Sequence, residues 1–331
     1  MKAIVTGGTG FIGSHLVKRL VDEGREVIVV SDFARLSMEN LLELDVQPSQ
    51  IEVRKADLTD YSQVLGAMEK ANVVFHLAAR VGNLEYLHAT ETAELAALQR
   101  NLTIDTNVFK VCQERGIGRI VYASSVAVYP VEKQYSHGVV LSEDDLTSVN
   151  PDGGYGWAKL MGEIQLGWMK NIDIGVARIF NIYGVNEPTE PGRAHAIADL
   201  IRKVLTSADG ILVVQGDGTQ TRDFLYVSDC VAALLQLEQK ASSPPTIVNI
   251  GSGRAVSIGT IAKRIVELSG RDISIEYDPV RPVGPISRTA DIAQAEALLG
   301  WQPEISFDEG LRLTYSWMRA KLHPKKGNRS R

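Results

Sequence analysis

The segment Val5-Thr6-Gly7-Gly8-Thr9-Gly10-Phe11-Ile12-Gly13-Ser14-His15-Leu16 decides the fold. The β-branched run Ala3-Ile4-Val5 leads into it, and Leu16, Val17 and Leu20 leave it at helical spacing. Between them Gly7, Gly10 and Gly13 form G-x-x-G-x-x-G, enclosing Phe11 and Ile12. Glycines at this spacing permit a tight turn and let backbone N–H groups approach a pyrophosphate at the helix N-terminus. A glycine trio alone also suits a purely structural turn. Here it follows a strand, precedes a helix and is answered by Asp32 at the end of the second strand-like run, Val27–Val30. A carboxylate there suits the ribose hydroxyls of an adenosine and repels a 2′-phosphate. The expected cofactor is therefore NAD rather than NADP, with Arg35 nearby working against that preference. No Gly-Lys-Ser/Thr follows, which excludes a P-loop.

Composition bounds the rest. The 331 residues suffice for a full core plus a smaller lobe. An apolar share of 44%, a charged share of 23% and a net charge of −5 are those of an ordinary globular protein. They give no reason to expect nucleic acid or a membrane as partner. Cys112 and Cys230 are the only cysteines, so no disulfide framework is implied and a cytoplasmic location is expected. No apolar run reaches the length of a membrane span, and with a strand-like segment starting at Lys2 no secretory leader is expected. The sequon Asn101-Leu102-Thr103 is read as chance in a protein that is not exported.

Further along, the runs Ile51–Val53, Val73–Phe75, Arg119–Tyr122 and Ile174–Arg178 alternate with amphipathic stretches of helical length. Continuous apolar strands separated by helices predict α/β architecture: a doubly wound parallel (Rossmann) sheet with a smaller C-terminal substrate-binding lobe. The expected division is 1–180 for the dinucleotide-binding domain and 181–320 for the lobe, with segments of the lobe returning to the sheet. Residues 321–331 form a basic tail, expected to be disordered.

A second constellation is Gly153-Gly154-Tyr155-Gly156-Trp157-Ala158-Lys159. Tyr155 and Lys159 are spaced i, i+4 and share one helix face, while Leu160, Ile164 and Trp168 repeat at a spacing suited to core or subunit packing. A free phenol titrates near ~10, so holding a tyrosinate near neutrality requires about 4 kcal/mol of electrostatic help. The Lys159 ammonium and a positive nicotinamide ring are candidate sources, and Tyr155 would then act as general base toward a substrate hydroxyl. Tyr-x-x-x-Lys also occurs by chance in helices. Its weight comes from standing behind a dinucleotide fold and after the serine pair Ser124-Ser125, where a strand ends.

With these motifs the chain resembles the extended short-chain dehydrogenase/reductase proteins that act on nucleotide sugars. The resemblance covers nearly the whole chain and implies roles for individual residues. Asp57 and Leu58 lie in the segment similar to the family's adenine contact. Leu77, Ala78 and Ala79 resemble the strand end under the cofactor, and Asn101 falls at a structural asparagine near the active site, counted here among the cofactor contacts. Ser125, Tyr155 and Lys159 look like the catalytic trio, the last two also touching the cofactor. Arg178–Gly184 resembles the substrate-facing loop, with Asn181 on the sugar nucleotide. Arg222 and Arg288, with Arg281 as a weaker candidate, resemble clamps for a diphosphate, whose oxygens a planar guanidinium meets bidentately. GDGTQTRDFLYVSD and NIGSG resemble the lobe's hallmarks.

Within the family the motifs look nearest to the GDP-mannose 3,5-epimerases, notably Tyr129-Pro130, Arg80-Val81-Gly82 and Pro191-Gly192-Arg193. That chemistry needs two proton-exchanging groups. The chain has Ala127 where the resemblance calls for a cysteine, and His195 where it calls for a lysine. The 4,6-dehydratase variant needs an Asp-Glu pair, where Val126 and Ala127 stand. Hydride chemistry remains, so the sequence predicts a 4-epimerase using Ser125, Tyr155 and Lys159. The 3,5-epimerase and dehydratase readings stay open through His195, as a proton shuttle or a substrate contact. A net reductase would use NADPH, which Asp32 disfavours. A non-catalytic dinucleotide sensor would be expected to lose Tyr155 or Lys159. A nucleotide-diphosphate sugar is the expected partner, no metal site is expected, and resemblance in Thr90–Cys112 and the Tyr155 helix implies a homodimer.

Overall fold

The computed structural model describes residues 1–32, 38–80, 90–146, 148–191, 193–280 and 284–323. Arg35, Arg281, Val81, Gly82, Gly192 and the tail from 324 onward lie outside the described residues.

The apolar runs form strands because branched side chains pack well on a pleated surface buried on both faces. Strands β1 (Lys2–Thr6), β2 (Glu26–Ser31), β3 (Glu52–Lys55), β4 (Val73–His76), β5 (Arg119–Ser125), β7 (Asp173–Ile179) and β11 (Thr246–Ile250) make one parallel sheet. Its order is β11-β7-β5-β4-β1-β2-β3. Alternation along each strand splits its side chains between two cores. Ala3, Val5, Val29 and Phe75 meet α1 (Phe11–Asp22) and α7 (Val227–Lys240). Ile4, Ile28, Val74, Ile120 and Tyr122 meet α3 (Tyr61–Ala67), α4 (Glu91–Glu114) and α5 (Gly153–Trp168). Helices cover both faces, as a doubly wound sheet requires. The strand order reverses between β1 and β4, and the crevice beyond their carboxyl ends is where such folds bind ligands.

The remaining strands form a second, smaller system. β10 (Thr221–Tyr226) pairs antiparallel with β12 (Ala255–Ser257) and parallel with β14 (Ser287–Ala290) and β8 (Asn181–Tyr183). β14 also pairs with β6 (Val140–Leu141), and β9 (Ile211–Gln215) pairs with β13 (Ser274–Asp278). Helices α6 (Ala196–Thr206), α8 (Ile258–Ser269) and α10 (Phe307–Leu322) belong to the same apolar cluster. The short helices α2 (Glu39–Glu43) and α9 (Ala293–Leu299) complete the described elements.

The boundary expected at residue 180 is crossed in both directions. β11 and α7, from beyond it, build the main sheet and its cover, while β6, from before it, joins the second sheet. The start of the expected tail is also corrected. Lys321 and Leu322 are the last turn of α10, whose buried Leu311, Tyr315 and Met318 anchor the helix against the core.

Asp223 holds the second sheet to the first. Its buried carboxylate accepts from the backbone N–H groups of Ser252 (2.6 Å), Gly253 (2.9 Å) and Ala290 (3.0 Å) and from the Ser252 hydroxyl (2.7 Å). Removing it orphans three backbone donors. Asp223→Ala should therefore lower unfolding stability by roughly 3 kcal/mol or more, read as a fall in the urea midpoint.

Candidate active site

A cleft of about 1020 Å³ runs over the carboxyl ends of β1, β2, β4 and β5 and on to β8, β10 and the start of α6. At one end lies the glycine turn. Gly7 has a φ of +72°, in the left-handed region, and a Cβ on Gly13 would stand 2.2 Å from the Gly7 carbonyl oxygen. The chain can close this turn only without that side chain. Gly10 precedes α1 with no side chain to cap it, so the free N–H groups of the first turn face the cleft alongside Phe11 and Ile12. That is a cradle for a pyrophosphate.

Asp32 and Asp57 face the same end, with Leu58, Leu77, Ala78 and Ala79 on the floor. The backbone N–H and hydroxyl of Thr59 donate to Asp57 (2.9 and 2.8 Å) and hold its carboxyl below the usual range. The Arg100 guanidinium stands between the two carboxylates, 3.9 Å from Asp32 and 3.8 Å from Asp57. This set fits a dinucleotide whose adenosine hydroxyls meet Asp32. Arg100 was not singled out in the sequence; a lone arginine on a helix face carries no local signal.

Asn101 is placed differently from its expected role. Its amide is fully buried, accepting from the Arg80 N–H (2.6 Å) and donating to the carbonyls of Arg80 (3.1 Å) and Ala97 (2.9 Å). It does not line the cleft but ties the chain after β4 to α4.

At the centre the serine pair divides. Ser124 turns inward and donates to Glu163 (2.5 Å), which pairs with Arg178 (2.8 Å). Ser125 ends β5 in the cleft. Its Oγ accepts from the Ala127 N–H (3.1 Å), capping the turn Val126–Val128, and is hydrogen-bonded to the Tyr155 phenol. Tyr155 and Lys159 come from successive turns of α5, whose first turn is held by Glu94, accepting from the Gly154 N–H (2.5 Å). Burial pushes Tyr155 upward, only partly offset by the Ser125 hydrogen bond. The Lys159 ammonium lies closer to the Tyr122 ring (4.5 Å to its centre) than to that of Tyr155 (5.9 Å).

At the far end Asn181 donates to the Asp223 carbonyl (2.9 Å), and Arg222 and Arg288 are register neighbours across β10 and β14. Arg288 is buried and bonds Gln134 and Asp152. Burial, then the charge of Arg288, push Arg222 down to about 10 against the pull of Asp152. Two adjacent, partly desolvated guanidiniums favour an anion with several oxygens. His195, the residue preceding α6, also lines the cleft, and burial holds its imidazole below the ordinary value.

Sequence reasoning missed Glu187. It lines the same cleft and is 2% exposed, and neither carboxylate oxygen has a hydrogen-bonding partner. Among the described residues no group of three His, Cys, Asp or Glu is placed to hold a metal ion.

The sequence profile of the NAD dependent epimerase/dehydratase family matches residues 3–251. The chain belongs to this family. Its relatives include GDP-mannose 3,5-epimerase of Arabidopsis thaliana, 33% identical over 335 residues, covering 100% of this chain and 85% of the relative. Among solved structures, UDP-glucose 4-epimerase of Thermotoga maritima with UDP-glucose superposes with a TM-score of 0.84 at 26% identity, covering 97% of this chain and 100% of that one. The Thermus thermophilus UDP-glucose 4-epimerase complex with NAD gives a TM-score of 0.81 at 25% identity, covering 96% and 99%. The fold resemblance inferred from the motifs is thereby confirmed, and with it NAD as the family's cofactor.

Glu187 generates a pH prediction for this family member. Burial raises its carboxyl from the ordinary 4.5 to about 8; the nearby His195 and Gly184 backbone N–H groups oppose the rise but are too poorly placed to hydrogen-bond its oxygens. Between those pH values the unfolded chain releases a proton that the folded chain retains, so stability falls as pH rises. Glu187→Gln removes that titration. The variant should gain on the order of a few kcal/mol over wild type at pH 8 and little at pH 4, measured by urea unfolding at both.

Proposed function

We propose that the protein is an NAD-dependent nucleotide-sugar epimerase acting at C4, by transient oxidation and return of hydride to the opposite face. The observation that carries this reading is the convergence of Ser125, Tyr155 and Lys159 in the cleft of the glycine turn, beside Val126 and Ala127, which cannot move a proton. NAD bound on the α1 N-terminus would accept hydride from a sugar carbon and give it back. The protein's part is binding, orientation and one proton. Ser125 holds the C4 oxygen and meets the negative charge developing on it. Tyr155 takes the C4 hydroxyl proton and returns it after the ketone has turned over. Burial raises its phenol, so the tyrosinate would need the nearby Lys159 ammonium and a positive nicotinamide ring to stabilise it.

The adenosine end would use Gly7, Gly10, Phe11, Ile12, Gly13, Asp32, Asp57, Leu58, Leu77, Ala78 and Ala79. Arg222 and Arg288 would clamp the sugar's diphosphate, with Asn181 and His195 beside the sugar. We read 1–180 as chiefly cofactor-binding and 181–320 as chiefly substrate-binding, with the interleaving described above. The unpaired, buried Cys112 and Cys230 suit the reducing cytoplasm, and among the described residues no helix is long and apolar enough to cross a membrane. A homodimer through α4 and α5 is supported by exposed apolar side chains: Leu95 on α4, and Met161, Ile164 and the 77% exposed Trp168 along one face of α5. Light scattering at micromolar concentration should give twice the chain mass, and Trp168→Glu should reduce it to one.

A second reading, proton exchange as in a 3,5-epimerase, is favoured by Glu187 and His195 in the cleft and by the Arabidopsis relative. Turnover in D2O separates the two. A hydride that leaves C4 and returns to C4 never meets solvent. The epimer made from UDP-glucose, or from whichever nucleotide sugar turns over fastest, should carry no carbon-bound deuterium by mass spectrometry. A gain at C3, C5 or C6, abolished in His195→Ala or Glu187→Gln, moves the protein to the proton-exchanging branch. Under either reading Tyr155→Phe should cost several orders of magnitude in kcat while nucleotide-sugar binding stays within a few-fold.

A further inference from the structure

Lys159 is 1% exposed, and an ammonium so far from water needs a fixed negative partner. Asp105, from α4, is equally buried and is joined to it through Tyr122. Its two oxygens accept from His76 Nε2 (3.0 Å) and from the Tyr122 hydroxyl (2.5 Å). The Tyr122 ring is the one over which the Lys159 ammonium sits. On its other side His76 Nδ1 meets Thr6 Oγ1 (2.7 Å), and Thr6 Oγ1 accepts from the Ala78 N–H (3.3 Å). Burial favours a neutral His76, and with it neutral the chain of donors has one order. Ala78 donates to Thr6, Thr6 donates to His76 Nδ1, and the Nε2–H of a neutral His76 donates to Asp105. A neutral imidazole leaves the charge of Asp105 uncompensated from that side, so the carboxylate remains available to Lys159.

Close packing fixes the arrangement. A Cβ on Gly162 would meet the Tyr122 hydroxyl at 2.3 Å and Asp105 Oδ2 at 3.0 Å, so α5 lies directly on the pair one turn beyond Lys159. The charged and titratable groups around Lys159 are Asp105 from α4, Tyr122 from β5, His76 from β4, and Tyr155 and Glu163 from α5 itself. Glu163 is already matched by Arg178 on β7.

We propose that Asp105 is a positioning residue, the buried counter-ion that keeps Lys159 charged and in place, linked through His76 and Thr6 to the cofactor-facing strand end at Ala78. The inference rests on the reading of Tyr155 and Lys159 as the working pair. Titration has the same sense: burial depresses Lys159 and Asp105 is the larger of the two opposing charges, while Asp105, which burial alone would raise, is drawn below the ordinary range chiefly by Lys159. The ammonium contributes at pH values below its own pKa. Losing Asp105 should make it deprotonate at lower pH.

The test is the kcat–pH profile with UDP-glucose and NAD, for wild type, Asp105→Asn, Tyr122→Phe and Lys159→Met. The alkaline limb in Asp105→Asn should move to lower pH by roughly one to three pH units, as expected for loss of a close opposite charge. KM should change little, and kcat at neutral pH should fall by tenfold or more. Tyr122→Phe keeps the ring but removes one donor from Asp105, and should move the limb the same way by a smaller amount. It also serves if Asp105→Asn fails to fold. Independently of turnover, the Nζ resonance of Lys159 in protein labelled with 15N-lysine, assigned by its absence in Lys159→Met, should titrate at lower pH in both variants. An unmoved limb and unmoved resonance overturn the proposal. If Lys159→Met keeps wild-type kcat, the reading of the working pair fails instead, which the Nζ titration distinguishes.

Discussion

The site depends on the buried ion pair between Glu163 and Arg178. Glu163 lies on α5, one turn after Lys159, and Arg178 lies near the end of β7, so the pair sets the catalytic helix against the sheet. Both partners are otherwise bonded. Glu163 accepts from Ser124, which orients the end of β5 and leaves Ser125 as the residue that faces the cleft. Arg178 donates to the Tyr129 hydroxyl (3.2 Å) and the Glu143 carbonyl (2.9 Å), and Tyr129 donates to Asn249 (2.6 Å). A buried pair of this kind adds little net stability against apolar residues of equal volume, but removing one partner leaves a charge with no water. Its service is geometric: α5, β5, β7 and β11 keep one relative position.

Charge is distributed along the cleft in a way that suits each end. The glycine turn offers backbone donors without a side chain, and the carboxylates of Asp32 and Asp57 flank Arg100. The far end has two neighbouring guanidiniums with Asp152 as their shared counter-charge. Between them the buried Lys159 has the charges of Asp105 and Glu163 opposing its desolvation. The phenol is thus left to respond to whatever charge arrives in the cleft, which is the property a base needs if it is to work only when cofactor and substrate are both present.

Glu187 is the exception to this balance. A buried carboxyl with no partner is costly, and proteins retain such groups where a ligand or a reaction uses them. Its neighbour His195 is also kept neutral by burial. Together they give the far side of the cleft two buried groups whose burial disfavours their charged forms, in the segment between β8 and α6.

What the sequence determined by itself was whatever is local in the chain. Gly7, Gly10 and Gly13 after an apolar strand specify a turn whose geometry admits no Cβ, and Tyr155 and Lys159 share a helix face because helical spacing puts them there. The alternation of strand-length and helix-length runs was enough for a doubly wound parallel sheet. Tertiary structure alone decided what depends on residues far apart in sequence. Nothing local distinguishes Asp105 from any polar residue on a helix, yet the packing of α4 against α5 at Gly162 puts its carboxylate beside the Tyr122 hydroxyl. Asn101 looked like a cofactor contact, but its amide is spent on backbone groups, two of them on Arg80 in the segment packed against it and one on Ala97 in its own helix. The placing of β6 in the second sheet was hidden for the same reason: its hydrogen bonding to β14 is a long-range pairing that no window of sequence contains. Even the direction in which Tyr155 titrates was set by burial, a property of the assembled fold.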